Sequence, residues 1–204
     1  MYSFTPRFFC TFVCMKSIGI TGGIGSGKSL VCKIIEKLGY PVFYADEAAK
    51  KLMIDDQSLK SELIHLLGED AYLNNQLNRT FIAEKIFKNN QLKKGVSDLV
   101  HPAVYRAYEN WKKMQNSDLV FNESALLFET GSYKSFDATI LVTANRETRI
   151  ERVMKRDNLS RETVLERMSH QLDDDSKQKM CDFEIVNDEQ KLLIPEIIKI
   201  LRLL

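Results

Sequence analysis

The chain has 204 residues, of which 44% are hydrophobic and 28% charged, and a formal net charge of +1. That length suits one domain with room for a small subdomain, and the near-neutral charge excludes nucleic-acid binding through bulk positive charge. Cys10, Cys14, Cys32 and Cys181 lack the paired spacing of a zinc site or a disulfide framework, so a reduced, cytoplasmic chain is expected.

Residues 1–14, MYSFTPRFFCTFVC, are apolar and aromatic, with Arg7 as their single charge. They are too short to span a bilayer, and no small-residue cleavage site comes after them. They read as an appendage outside the domain, with Met15 as an alternative start. Near-continuous apolar runs then predict buried strands at Ser17–Thr21, Pro41–Tyr44, Asp118–Glu123, Ala138–Val142 and Phe183–Val186. Runs apolar on both faces are the mark of parallel strands covered on each side, and the helical patterns between them make the class α/β. From Ala45 to Ser117 no convincing strand is read: Leu59, Leu63, Leu66 and Leu67 form one helical stripe, Ile82, Ile86 and Phe87 a second, and Val104, Tyr108, Trp111 and Met114 a third. An all-helical insertion over about 45–117 is expected.

Between the first strand and the first helix stands Gly22-Gly23-Ile24-Gly25-Ser26-Gly27-Lys28-Ser29. It fits G-x-x-x-x-G-K-[ST], and it leads into a helix from about Lys28 to Leu38, closed by Gly39. Such glycines let backbone N–H groups turn inward around a polyphosphate, with the helix N-terminus adding its positive dipole. Lys28 suits the β- and γ-phosphates, and the Ser29 hydroxyl suits Mg²⁺. A nucleoside triphosphate is the expected ligand.

A GTPase is not expected, because no D-x-x-G comes after the third strand and Met154-Lys155-Arg156-Asp157, the nearest guanine-reading lookalike, lies in a helical pattern. Asp46 stands just after the second strand and faces the rim that carries the phosphate loop; it reads as a base, as the N-cap of a helix beginning at Glu47, or as both. Arg149, Arg152 and Arg156 recur at i, i+3 and i+7, with Arg161 and Arg167 on the next helix. That spacing predicts a cationic helical lid over about 146–172, its arginine face left unneutralised by the neighbouring Glu151–Lys155 pair. Glu123, ending the third strand, is a candidate carboxylate for Mg²⁺ through water, or a cap of the next helix.

In order along the chain, IGITGGIGSGKS, Tyr44-Ala45-Asp46, Leu77-Asn78-Arg79, LVHPAV with His101-Pro102, Leu126-Leu127-Phe128-Glu129, and Arg152, Arg156, Asp157 and Arg161 in R-x₃-RD-x₃-R resemble the dephospho-CoA kinase family from about Lys16 to Asn187. The resemblance implies a P-loop kinase-type five-stranded parallel sheet, its first strand between the third and fourth. It also implies ATP-dependent phosphorylation of the ribose 3′-hydroxyl of dephospho-CoA, with Mg²⁺. On this reading Asp46, Lys28, Arg152 and Arg156 are catalytic. ATP is held by Gly23, Ile24, Gly25, Ser26, Gly27, Lys28, Ser29 and Leu30, with Arg156 and Asn187. The acceptor meets Asp46, Arg79, His101, Leu127, Phe128, Glu129 and Arg161, and the metal meets Ser29 and Glu123. Leu30 stands where the family usually has threonine, Ala125 replaces the proline before LLFE, and the N-terminal extension has no counterpart. The expected partners are small molecules, with neither nucleic acid nor membrane, and a monomer is favoured. The competing readings are another small-molecule kinase, such as a nucleoside monophosphate kinase, and a non-catalytic ATP-binding regulator.

Overall fold

The computed structural model describes residues 15–87 and 89–204, so the expected appendage at 1–14, with Cys10 and Cys14, lies outside the described residues. Strand β1 (Lys16–Thr21) is buried from Ser17 onward. It runs through the glycine-rich loop into α1 (Lys28–Lys37), which buries Val31, Cys32 and Ile35 against the sheet. The helix stops as expected, since Gly39 adopts φ 96°, a left-handed conformation that glycine takes without a Cβ clash.

After β2 (Val42–Tyr44), α2 (Ala45–Asp55) starts at once. Its N-cap is Tyr44, whose side chain makes no capping bond, and Asp46 already lies in the first helical turn. The expected helix start at Glu47 is therefore corrected, and with it the reading of Asp46 as a cap. Asp56 caps α3 (Gln57–Leu67), accepting hydrogen bonds from the Ser58 and Leu59 N–H groups. The insertion is not wholly helical. Strands β3 (Tyr72–Leu73) and β4 (Gln76–Leu77) form an antiparallel hairpin around Asn74 and Asn75, with φ 50° and 63°. Two consecutive positive-φ residues make the tight turn that matches strand twist, and asparagine tolerates it best after glycine. Strands of two residues leave too short an alternation to read in sequence. Helices α4 (Arg79–Phe87) and α5 (Asn90–Lys113) complete the insertion.

The chain returns through β5 (Leu119–Glu123) and β6 (Ala138–Thr143). Helices α6 (Arg146–Asp157) and α7 (Arg161–Ser169) come next as a hairpin turned at Asn158, whose φ is 52°. The short α8 (Asp174–Gln178), β7 (Phe183–Val186) and α9 (Leu193–Leu201) end the fold. The five long strands form one parallel sheet in the order β2-β5-β1-β6-β7, with β1 between β5 and β6. Helices α1 and α9 cover one face over Ile18, Ile20, Phe121, Ile140, Val142 and Ile185. On the other face Phe43 meets Tyr108 and Trp111 of α5, each at 5.4 Å between ring centroids. A second core, including Leu59, Leu63, Leu67, Tyr72 and Val100, holds the insertion together, and Ile150, Val153 and Val164 form a small core in the α6–α7 hairpin. Among the described residues, no helix is long and apolar enough to cross a membrane.

Candidate active site

Parallel strands deliver their C-terminal ends to one rim, and the order reverses beside β1, where ligands of such sheets bind. Two cavities open there. A groove of about 950 Å³ is lined by Ile24, Gly25, Gly27, Lys28 and Ser29 of the glycine loop and α1, by Asp46 and Glu123, and by Arg152 and Arg156 of α6. A second cavity of about 430 Å³ lies between α2, α5 and the segment after β5; its walls include Asp46, His101, Tyr105, Tyr108, Asn122, Leu127 and Phe136. Asp46 lines both. Its carboxylate makes no hydrogen bond or ion pair among the described residues.

The loop is braced from behind. Gln171 accepts the Ile24 N–H at 2.8 Å, while Arg149 donates through Nε to the Ile24 carbonyl at 2.9 Å. The amide of Asn187 donates to the Ser26 carbonyl at 2.9 Å. Gly27, at φ 93°, leaves room for that amide, since a Cβ there would lie 2.0 Å from the Asn187 nitrogen. With these bonds in place the loop's shape is set before any ligand arrives, which spares binding the cost of ordering it. Inside the groove Lys28 donates to the Gly22 carbonyl at 2.8 Å and stands 3.9 Å from Glu123. Burial pulls the Lys28 ammonium below its ordinary pKa, with Glu123 and Asp46 opposing. Burial likewise pushes the Glu123 carboxyl up, with Lys28 opposing. A desolvated cation and anion at a helix N-terminus suit an incoming polyphosphate with its counter-ion.

The arginine face is not left unneutralised. Arg149 is buried and paired with Asp174, Arg152 with Glu189 at 2.8 Å, Arg156 with Asp157 at 2.7 Å, and Arg161 with Glu147 at 2.7 Å. Three of these carboxylates come from outside the helix that carries their arginine, beyond the reach of any i, i+4 rule; Asp157 is the immediate neighbour of Arg156. Arg152 also donates to the Asn187 carbonyl at 3.1 Å, so α6 and the loop after β7 are tied together beside the groove.

Of the residues singled out in sequence, several stand behind the cavities rather than in them. A Cβ on Gly23 would lie 2.0 Å from the Arg149 guanidinium, Ser26 is buried, and Leu30 is half exposed. Phe128 packs against Tyr133 at 5.3 Å. The Glu129 carboxylate is taken by the fully buried Lys177 at 2.9 Å and by the Leu172 N–H at 3.1 Å. Arg79 is exposed at the start of α4, and Arg161 at the start of α7; neither is among the residues lining the cavities. Sequence reasoning missed Gln171, Asp174 and Lys177. No local motif marks them, because each acts on a residue at least 25 positions away.

A phosphate loop, a cation-lined groove and a second cavity meeting at one carboxylate define a P-loop kinase. The family model described as CoaE: Dephospho-CoA kinase matches residues 16–192. The dephospho-CoA kinase of Bacteroides fragilis is 37% identical over 188 residues, covering 92% of each chain. That of Porphyromonas gingivalis is 39% identical over 188 residues, covering 92% of this chain and 93% of its own. The crystal structure of TT1252 from Thermus thermophilus superposes with a TM-score of 0.81 at 34% identity, over 93% of this chain and 95% of that one. The chain belongs to the dephospho-CoA kinase family, kinases that phosphorylate dephospho-CoA with ATP in CoA biosynthesis.

Proposed function

We propose that the chain transfers the γ-phosphoryl group of ATP to the ribose 3′-hydroxyl of dephospho-CoA, with ATP in the groove, the acceptor in the second cavity and Asp46 as base between them. The observation that carries this is the position of Asp46, the one residue shared by the linings of the two cavities. Its carboxylate takes the proton of the 3′-hydroxyl as that oxygen forms its bond to the γ-phosphorus. The bond from that phosphorus to the β–γ bridging oxygen breaks, and ADP leaves. Phosphoryl transfer is mostly positioning and charge stabilisation. Lys28 tracks negative charge onto the transferring group, and Arg152 and Arg156 bring two guanidiniums to the same groove.

The residues present fit Mg²⁺. Ser29 and Glu123 both line the groove, they offer the hard oxygen donors that this ion prefers, and the Ser29 hydroxyl has no hydrogen-bond partner among the described residues. Bound there, the metal would neutralise phosphate charge. A cytoplasmic monomer acting on small molecules fits this reading.

The test is ADP release from ATP with dephospho-CoA, AMP or CMP as acceptor. Release with dephospho-CoA alone, giving a product phosphorylated at the 3′ position, is expected. Comparable release with the monophosphates would overturn the assignment of the second cavity.

A further inference from the structure

We infer that Asn122 reads the adenine base of the acceptor. This rests on the assignment of the cavity beside Asp46 to dephospho-CoA. Asn122 sits in β5 after Leu119, Val120 and Phe121, all buried and apolar, on a strand paired on both sides. The register sets it opposite Gly19 and Phe43. Phe43 packs on Tyr108 and Trp111, so this is the α5 face of the sheet, where the cavity lies. Asn122 is only 6% exposed, and its side-chain amide makes no hydrogen bond among the described residues. Polar groups this deep in a fold are nearly always paired, and the little access that Asn122 keeps is to the cavity it lines. Here the amide lines the cavity, so its partner is expected to be the ligand.

The chemistry of the cavity selects which part of the ligand. Asp46 takes the 3′-hydroxyl, and the base is joined to that same ribose. The diphosphate is excluded, because the lining contains no lysine or arginine. The pantetheine arm lies beyond the diphosphate, farther from the hydroxyl. Tyr105, Tyr108, Leu127 and Phe136 give flat apolar walls suited to a purine ring. A carboxamide offers one donor and one acceptor side by side, the pattern that pairs with the exocyclic amine and adjacent ring nitrogen of adenine. Gly19, opposite Asn122, lets Leu127 and Phe136 pack down on the sheet: a Cβ there would lie 2.7 Å from Leu127 and 3.1 Å from Phe136.

The experiment compares kcat/KM for dephospho-CoA and for its analogue lacking the 6-amino group, in the parent enzyme and in Asn122→Leu, with KM for ATP and Tm measured alongside. The parent should prefer dephospho-CoA by roughly 10-fold or more, the effect of one buried partner left unpaired. In Asn122→Leu the preference should fall to about 2–3-fold, with KM for ATP unchanged and Tm of the free protein within about 2–4 °C of the parent. A parent enzyme that treats both acceptors alike overturns the inference, whatever the variant's folding. A variant that loses acceptor turnover equally for both also overturns it, while keeping the cavity as the acceptor site. A variant with normal acceptor kinetics would remove this cavity from acceptor binding altogether.

Discussion

Replacing Asp46 by asparagine keeps the size and planarity of the side chain but removes its charge and its capacity to take a proton. Asp46 lies in the first turn of α2 with Glu47, where a negative charge gains about 0.3–1 kcal/mol from the helix dipole. Against that, Asp46 is one of the charges that raise the pKa of Glu123, so its loss relieves a repulsion in the groove. The two effects oppose, and since its side chain does not cap the helix, Tm should move by no more than about 2–4 °C. The kinetic effect is of another size. General-base contributions run to roughly 10²–10⁴-fold, or about 2.7–5.4 kcal/mol of barrier. Steady-state ADP release at saturating dephospho-CoA should fall in that range, while ATP affinity by equilibrium titration stays within about 3-fold. A kcat within about 3-fold of the parent would refute the assignment of the base. A large loss of ATP·Mg²⁺ affinity would instead make Asp46 a metal-site carboxylate.

Arg149→Ala should act on the scaffold rather than on chemistry alone. It breaks the pair between buried Arg149 and the partly exposed Asp174 and the bond to the Ile24 carbonyl, so a stability loss of about 1–3 kcal/mol is expected by thermal or urea denaturation; an unchanged Tm would contradict the bracing role. Arg156→Ala, at an exposed pair, should leave Tm unchanged and lower kcat more than it raises KM for dephospho-CoA. An effect confined to KM would reassign it to acceptor holding. Glu123→Gln tests the electrostatics. A carboxyl whose folded pKa is raised holds its proton more tightly in the native state, so its stabilising share is full below the unfolded value of about 4.3 and is lost as pH rises through the folded value. The ligand-free parent should therefore lose stability as pH rises above the unfolded value of about 4.3, in a way that Glu123→Gln does not; parallel Tm–pH curves would show that Glu123 is not destabilised by burial.

The sheet and the phosphate loop were legible because they are properties of contiguous chain. Apolar runs without alternation can be buried on both faces only in a covered parallel sheet, and Gly22 to Ser29 encodes its own backbone shape. The hairpin at Asn74-Asn75 was also written locally, in a pair of residues that tolerate positive φ, but its strands are too short to show a period. Elsewhere the tertiary structure decided. Whether Asp46 caps a helix depended on where α2 begins, and that was set by the junction with β2. The partners of Arg149 and Arg152, and the grip of Gln171 on a loop residue 147 positions away, exist only once the sheet sets β1 beside β6 and β6 beside β7. Sequence sets the local menu through backbone geometry and hydrophobic period. Long-range polar contacts carry no period, so the same Arg, Gln or Asn reads as surface in the chain and becomes brace or cavity floor only in the fold.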